Sequence, residues 1–576
     1  MKKQLFLYSL IFLLIIAKNA CYAQVSIPSN VDPGFINADI KMKLAEPPRE
    51  KKDETPVVDF SKIITQENID SLQSDKFLLN KINFTGNTVL KTKELEELSK
   101  NLIGKEITLE DIGKLINEIN QIYKKEGYLT STAYILPQVI EGGIVEISII
   151  EGKVGNIIIH GGKWAKNGYI KKNILKANKI KEANILNINN LNESIAEINS
   201  VKYLKGNIIL EKGEKTGETD ILLDLKDRFP LSFSAGWDNQ GRDIVGVQRA
   251  TIRTSVDNVS GWGDKIWADN IFASGTHGLN SGYLIPLGDK GTKLKFEYSL
   301  SNTKLGQDYK EYDITGRSHN FAVAVEKPIY KSSNLKLNSR VAFDFIHSGT
   351  KIHDEDLNKY EIRALRTGLT AQKDDKTGKW LGNFTVSTGI PLFGAVKNKP
   401  KGIPDSEFVK FNTSLVRFQQ LPKDCAAILK ASSQFSTNTL FSAEQMDIGG
   451  VSSVRGYDEG ALLGDMGYNI SLETRTPIPF LPKSLNIPLK KDKIFKIPVK
   501  DSVRFAVFYD QGWTKTIQQR IPVNYTNFFQ SIGVGLRISI KKYTTVNLDL
   551  GIPLGKKRYG GQQDAMFHFS LTTDIL

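Results

Sequence analysis

Cysteine and histidine are scarce in this 576-residue chain, with 2 and 6 copies. Cys21 lies in the extreme N-terminal segment and Cys425 stands alone after it, so a chain cut between them holds no intramolecular disulfide. The scattered histidines offer no metal-ligand spacing. No GxSxG, HExxH, Walker A loop or well-placed GxGxxG occurs. These absences point away from an enzyme and from any cofactor. No apolar stretch reaches the roughly 20 residues that a spanning helix needs. The formal charge of +14 would suit nucleic acid, but the lysines are spread among Asn and Ile, as in NGYIKKNILKANKIKEANILNINNLNE. Without an aromatic-interleaved basic stripe, neither nucleic acid nor nucleotide is expected as a partner.

What is present begins with MKK, the apolar run LFLYSLIFLLIIA, then CYA before Gln24. A basic start, a short apolar core and small residues at the cut describe a secretory signal over 1–23. Lys18-Asn19-Ala20 before Cys21 does not resemble a lipobox. The next segment, 24–46, contains Asp32-Pro33, a helix start with a cap and a first-turn proline. Phe35, Ile36, Ile40 and Leu44 follow at mixed spacing, and Pro47-Pro48 stops the run, giving a weakly amphipathic helix over about 32–46. An isolated helix of this length is marginal in water; it docks or stays disordered. Residues 47–77 form a linker, opening with a stretch rich in Pro, Lys, Asp and Glu.

From about Leu78 the texture is regular. KINFTGN reads as a strand and turn, and TKELEELSKNL as a helix. LEDIGKLINEINQIYKKEGY is a second helix with Leu109, Ile112, Leu115, Ile116, Ile119 and Ile122 on one face. STAYILP and IVEISIIEG close the unit as strands. The same β-α-α-β-β order recurs from VGNIIIHG to TDILLDLKD. Two copies, 78–152 and 153–228, make an internal repeat. They serve as spacers, or their sheet edges accept an extended segment of another chain.

After Phe229 helical spacing disappears and alternation takes over. In TKLKFEYSLS, Leu294, Phe296, Tyr298 and Leu300 oppose Lys293, Lys295, Glu297 and Ser299. In IGVGLRISI, Ile532, Val534, Leu536, Ile538 and Ile540 oppose Gly533, Gly535, Arg537 and Ser539. Residues 229–576 provide for roughly 16 strands of about 10 residues, too many for one sandwich. In a bilayer the sheet has to close, because lipid satisfies no open edge. The reading is α+β repeats followed by an all-β transmembrane barrel, expected to have 16 antiparallel strands.

One loop of this region, GGVSSVRGYDEG, carries a single cation, Arg455, among small residues. A confined cation needs a partner. In SVRFAVFYDQG, period two sets Phe508, Asp510 and Gly512 against Val503, Phe505, Val507 and Tyr509. If the second set faces lipid, Asp510 points into the lumen, where Arg504 and Arg537 are also available to it.

With these residues in hand, the chain resembles the TpsB transporters of two-partner secretion, the filamentous-haemagglutinin and haemolysin exporters of the Omp85 superfamily. GYLTSTAYILPQ followed by VEISIIEGKV resembles the end of a first POTRA domain and singles out Gly127, Tyr128, Tyr134 and Pro137. Val454, Arg455, Gly456 and Tyr457 resemble the VRGY loop motif; Phe508, Asp510 and Gly512 resemble the FxDxG strand motif. The resemblance makes 78–152 POTRA 1, 153–228 POTRA 2 and 229–576 the barrel. It implies a VRGY loop folded inward and locked by Arg455 on Asp510, with Gly512 leaving room, so that an exchange of the two charges restores function in part. It also implies that the N-terminal helix is a lumenal plug, with Asp32, Phe35, Ile36, Asp39, Lys41, Lys43 and Glu46 as its residues. The implied place is the outer membrane of a Gram-negative bacterium, with the POTRA domains in the periplasm. Implied partners are a large secreted TpsA-like protein, outer-membrane lipid, and the barrel-assembly machinery during biogenesis. For the last, the chain ends Asp574-Ile575-Leu576, where outer-membrane strands often end in an aromatic; Phe567 and Phe569 stand closest. An Omp85-type assembly factor shares both barrel motifs and is the alternative. A passive porin leaves the repeats unexplained.

Overall fold

The computed structural model describes residues 29–44, 58–59 and 76–575, apart from 176–178, 202, 289, 333, 398–402, 483–484, 490–492, 498–501, 518–526, 541–542 and 556–563. The expected signal segment, Glu46 and most of the linker lie outside the described residues.

The first repeat pairs the strand Lys81–Thr85 in parallel with Ile144–Ile150, and the short Thr132–Tyr134 antiparallel on the other side. Its long helix, Leu109–Lys125, starts at Thr108, whose backbone N–H donates to Asp111 Oδ2 at 3.1 Å in a capping box. Ile112, Leu115, Ile116, Ile119 and Tyr123 are buried, and they share one core with Val145, Ile147 and Ile149. The apolar stripe read from the sequence is therefore the face that meets the sheet. Glu151, just past the last strand, ties the domain together. It accepts hydrogen bonds from the backbone of Thr88 and Val89 at 2.7 Å each and from the Tyr123 hydroxyl at 2.8 Å.

The second repeat keeps the order, with strands Lys153–Gly161, Leu204–Lys212 and Glu218–Asp227 and a helix Ile188–Ser200. Its first helix begins as Asn167–Tyr169 and continues as a wider π-turn over Ile170–Leu175. The sheet edge formed by Leu204–Lys212 carries a fourth, short strand, Val58–Asp59 from the linker, in parallel pairing.

The remaining chain is a closed barrel of 16 antiparallel strands. They are β1 (Leu231–Asp238), β2 (Arg249–Asp257), β3 (Lys265–Ala273), β4 (Thr276–Leu287), β5 (Thr292–Lys304) and β6 (Ile314–Lys331). Next come β7 (Leu335–Ile352), β8 (Glu355–Asp375), β9 (Gly378–Gly389), β10 (Val409–Leu421) and β11 (Cys425–Ser436). The barrel ends with β12 (Met466–Pro477), β13 (Val503–Lys515), β14 (Phe528–Ile540), β15 (Thr544–Pro553) and β16 (Met566–Asp574). Every strand pairs with its sequence neighbours, and β1 closes on β16. That seam runs over the five pairs from Ser234↔Asp574 to Asp238↔Ser570. Asn239 prolongs it: its side chain donates to the Phe567 carbonyl and accepts from the Phe569 N–H, both at 2.8 Å. The side chain thus continues the ladder where the backbone pairing stops.

Alternation gives each strand two faces. On β13, Val507 and Tyr509 are exposed, whereas Phe508, Asp510 and Gly512 are buried inward. On β7, Val341 and Phe345 face out and Asp344, Ser348 and Thr350 face in. An apolar outside with a polar inside suits lipid outside and water inside. No helix among the described residues is long and apolar enough to cross a bilayer; the strands do the crossing.

The lumen is occupied. Helix α1 (Pro33–Leu44) lies inside the barrel, where Val31, Ile36 and Ile40 pack with Val245, Ile271, Leu305, Ile314 and Ile352. Since β1 follows the repeats, odd-numbered strands run away from them. The connection between β11 and β12, residues 437–465, therefore arises at the distal rim.

In the first repeat, burial raises the Glu151 pKa, but the hydrogen bonds from Thr88, Val89 and Tyr123 outweigh it and hold the group below its ordinary value of 4.5. A depressed carboxyl stabilises the fold above its unfolded pKa and loses that contribution as the pH falls through the folded value. Glu151→Gln is expected to lower the stability of the two-domain fragment by about 1–3 kcal/mol at neutral pH. Thermal scans should show the wild type approaching the variant as the pH drops below 4.5.

Candidate functional site: a loop and a helix held inside the barrel

The 437–465 connection turns inward on a short hairpin stem, Met446–Ile448 paired with Leu462–Gly464. Its tip reaches the wall at Gly456, which has φ +90°. A Cβ there would come within 2.9 Å of the Gly551 carbonyl carbon, so loop and β15 meet backbone to backbone. Gly512 plays the complementary part on β13: a Cβ would stand 2.7 Å from Ile448 Cγ2. Only glycine fits either position without displacing backbone or packed side chains.

Arg455 is 5 % exposed and fully engaged. Its Nε donates to Asp510 Oδ2 at 2.7 Å and its Nη2 to Asp510 Oδ1 at 2.9 Å, a bidentate pair. Nη1 reaches Glu473 on β12 at 2.5 Å and Asp549 on β15 at 3.4 Å, and Nη2 donates to Ser471. The guanidinium carbon sits 3.4 Å from the centre of the Phe508 ring. Arg537 joins Glu473 at 2.8 Å and Asp549 at 2.7 Å, and Arg475 reaches Glu473 at 2.8 Å. Three arginines thus face three carboxylates, and Lys430 of β11 adds a further positive charge within electrostatic range of Glu473 and Asp510.

Neighbours of Arg455 complete the attachment. The Gly456 N–H donates to His568 Nε2 on β16 at 3.1 Å. Tyr457 stacks on Phe529 at 3.8 Å with its ring nearly parallel, and its hydroxyl donates to the Gln530 carbonyl at 3.0 Å. Val454 is buried beside Ile448, Leu462 and Phe529.

Helix α1 is held along its length. Asp32 caps it, accepting from Gly34 N at 2.9 Å and Phe35 N at 3.2 Å, and takes the Tyr360 hydroxyl of β8 at 2.6 Å. Asp39 pairs with Arg242 at 3.0 Å, and that guanidinium lies over the Phe35 ring at 4.7 Å. Lys41 pairs with Glu297 on β5 at 3.4 Å. Asn37 donates to Ser318 on β6, and Ser301 donates to the Pro33 carbonyl. The described part of the helix runs to Leu44, and the expected end at 46 lies outside the described residues. The Lys43 side chain and Glu46 fall outside the described residues.

The two barrel motifs therefore meet, and α1 shares their lumen. Gly127, Tyr128, Tyr134 and Pro137 lie apart, in the first repeat: Gly127 follows its long helix, Tyr128 packs edge-on against Tyr123, Tyr134 closes the short strand, and Pro137 is exposed. Sequence reasoning missed Glu473, Asp549, Tyr360, Arg242 and His568. The first two sit on inward positions of alternating strands, a signal that was available. Arg537, offered as a rival partner for Asp510, serves Glu473 and Asp549 instead.

The family model for haemolysin secretion/activation proteins ShlB/FhaC/HecB matches residues 217–538, and that for the ShlB-type POTRA domain matches residues 77–152. The chain is 28 % identical over 506 residues to the heme/hemopexin transporter protein HuxB of Haemophilus influenzae, covering 84 % of each. Its fold matches that of CdiB from Escherichia coli with a TM-score of 0.70 and 20 % identity, over 89 % of this chain and 93 % of that one. BamA from Haemophilus ducreyi, lacking POTRA domains 1–3, matches with a TM-score of 0.54 and 14 % identity, over 87 % of this chain and 100 % of that one.

Removing Arg455 leaves three carboxylates with two arginines, a loss of about 3–5 kcal/mol for a buried pair. Arg455→Ala is expected to keep a folded barrel, with heat-modifiable mobility on gels, but to open 449–460 to limited proteolysis. Exchanging the charges, Arg455→Asp with Asp510→Arg, is expected to give no recovery of protection. The new carboxylate would face Glu473 and Asp549, which already contact Arg455, so an exchange that suits a lone pair is not expected to restore the attachment.

Proposed function

As the chain belongs to the haemolysin secretion/activation family ShlB/FhaC/HecB, an outer-membrane transporter of a secreted partner protein with its POTRA domains in the periplasm, we propose how export runs through this particular molecule. The POTRA pair captures one large, β-rich partner in the periplasm by strand addition and apolar contact. Helix α1 then withdraws, and the partner passes in extended form through the lumen. The resting lumen is closed by α1 and by the inward loop, which Arg455 locks on Asp510, Glu473 and Asp549. The observation that carries this reading is the seating of α1. It is a 12-residue helix held to the wall by polar side-chain contacts and an apolar patch, all of them non-covalent and able to break and re-form.

Strand addition has support in the second repeat, where Leu204–Lys212 already takes an added strand, Val58–Asp59. The linker pairs with that edge at Ile208 and Ile209, so a client strand crossing those positions displaces it. Direction comes from folding outside the cell, which removes exported segments from the equilibrium by mass action. Outer-membrane lipid around the apolar belt and the barrel-assembly machinery at insertion are the further partners of this reading. The likeness to BamA concerns the fold alone, and an assembly-factor role has no site of its own to favour it.

The test is a pull-down from periplasmic extract with the soluble 78–228 fragment, read by mass spectrometry. Enrichment of one very large exported polypeptide is expected. Enrichment of many outer-membrane precursors instead contradicts a dedicated exporter.

A further inference from the structure

The root of the inward loop carries a second charged cluster, several strands away from Arg455. Glu444 is 1 % exposed. Its carboxylate receives Arg366 Nη2 at 2.5 Å and Nη1 at 3.1 Å from β8, and Lys410 Nζ at 2.7 Å from β10. Lys410 also donates to the Glu444 carbonyl at 2.8 Å, and Gln434 of β11 donates to the same oxygen at 3.0 Å. Arg366 reaches onward to Asp344 on β7 and to Ser387 on β9. One residue of the loop is thus gripped through its side chain and its backbone by neighbouring strands of the wall.

This cluster shares no residue with the one at the tip. It does adjoin the helix. Three residues before Glu444, Phe441 stacks on Tyr360 at 4.5 Å with rings 12° apart, and the Tyr360 hydroxyl caps α1 through Asp32. The tip cluster draws on β12, β13, β14 and β15; the root cluster draws on β7, β8, β9, β10 and β11 and abuts the seat of the helix.

We propose that Glu444 is a second anchor of the loop, separate from the Arg455 lock, and that it holds the seat of α1 through Phe441 and Tyr360. Glu444, buried in the wall, is a positioning residue: it acts by fixing the loop root against which the helix cap is packed. Opening then has two separable parts, release of the tip and release of the root, and the root governs the helix. Neutralising Glu444 removes its charge-assisted contacts to Arg366 and Lys410 and leaves the root held through its backbone carbonyl by Lys410 and Gln434, so the root is held less firmly to the wall. This inference rests on the reading that α1 closes the resting pore.

The test is single-channel recording of the full-length protein in planar bilayers, for the wild type, Glu444→Gln, Glu444→Asp, Lys410→Met and a deletion of 29–44. Glu444→Gln is expected to raise the open population roughly tenfold or more, the factor that corresponds to about 1.4 kcal/mol. Lys410→Met, which leaves the Arg366 pair in place, is expected to move the same way by less. Glu444→Asp keeps the charge and is expected to stay nearer the wild type, a rescue that loss of packing alone would not give. Heat-modifiable mobility checks that each barrel is closed, so that Lys410→Met carries the test if Glu444→Gln does not fold. A deletion variant that conducts while both neutralising variants stay as closed as the wild type overturns the anchor. A deletion variant no more open than the wild type overturns the plug reading, and the anchor's link to the helix with it.

Discussion

Buried charge governs this structure. A barrel with a polar inner face admits an arginine on a flexible loop only if carboxylates meet it there, and Arg455 finds three, on β12, β13 and β15. Those strands fall within four consecutive positions of the wall, with β14 between the last two, because the sheet runs in chain order. That order thus positions the acids, the acids position the arginine, and the arginine positions a loop that would otherwise extend from the distal rim. Glycine at 456, 512 and 551 supplies the space that this approach requires. Paired charges of this kind add little net stability compared with apolar packing; their effect is to select one arrangement, since an arginine placed elsewhere in the lumen lacks its partners.

The same lumen accepts α1 for a related reason. Asp32, Asn37 and Asp39 are buried along with Phe35, Ile36 and Ile40. A helix resting on a conventional core would show one apolar stripe. This one is enclosed, and the wall offers Arg242, Glu297, Ser318 and Tyr360 as well as an apolar patch. Contacts of mixed character suit a segment that leaves and returns: the polar ones can be exchanged for water, and the apolar patch around Ile36 and Ile40 favours its return.

Legibility followed how local each signal was. The barrel was plain from alternation, and the repeats from their recurring strand and helix order, because both patterns are written in neighbouring residues. The contact of Arg455 with Asp510 was legible because period two fixed the face of Asp510 and the two motifs occur together. The helix was only half legible: its start is marked by Asp32-Pro33, but burial around most of its circumference, leaving Ala38 and Met42 exposed, erases the stripe that would have announced docking. Glu473 and Asp549 could be assigned to the inner face, yet their meeting with Arg455 depends on strand order, which no local pattern states. Tyr360 and Asp32 are 328 positions apart, and no local sequence signal joins them. The pairing of Val58–Asp59 with the second repeat was hidden for a different reason: a strand of two residues has no periodicity to read.

The most direct measurement is export from cells in which the helix is tied to the wall. Asn37→Cys and Ser318→Cys, in a Cys425→Ser background, place two thiols at facing positions whose present side chains meet, Asn37 Nδ2 lying 3.4 Å from Ser318 Oγ, in a compartment that permits disulfides. Export that stops when the pair is oxidised and returns when it is reduced is the expected result. Export at the wild-type rate with the helix cross-linked would contradict withdrawal of α1 as the opening step.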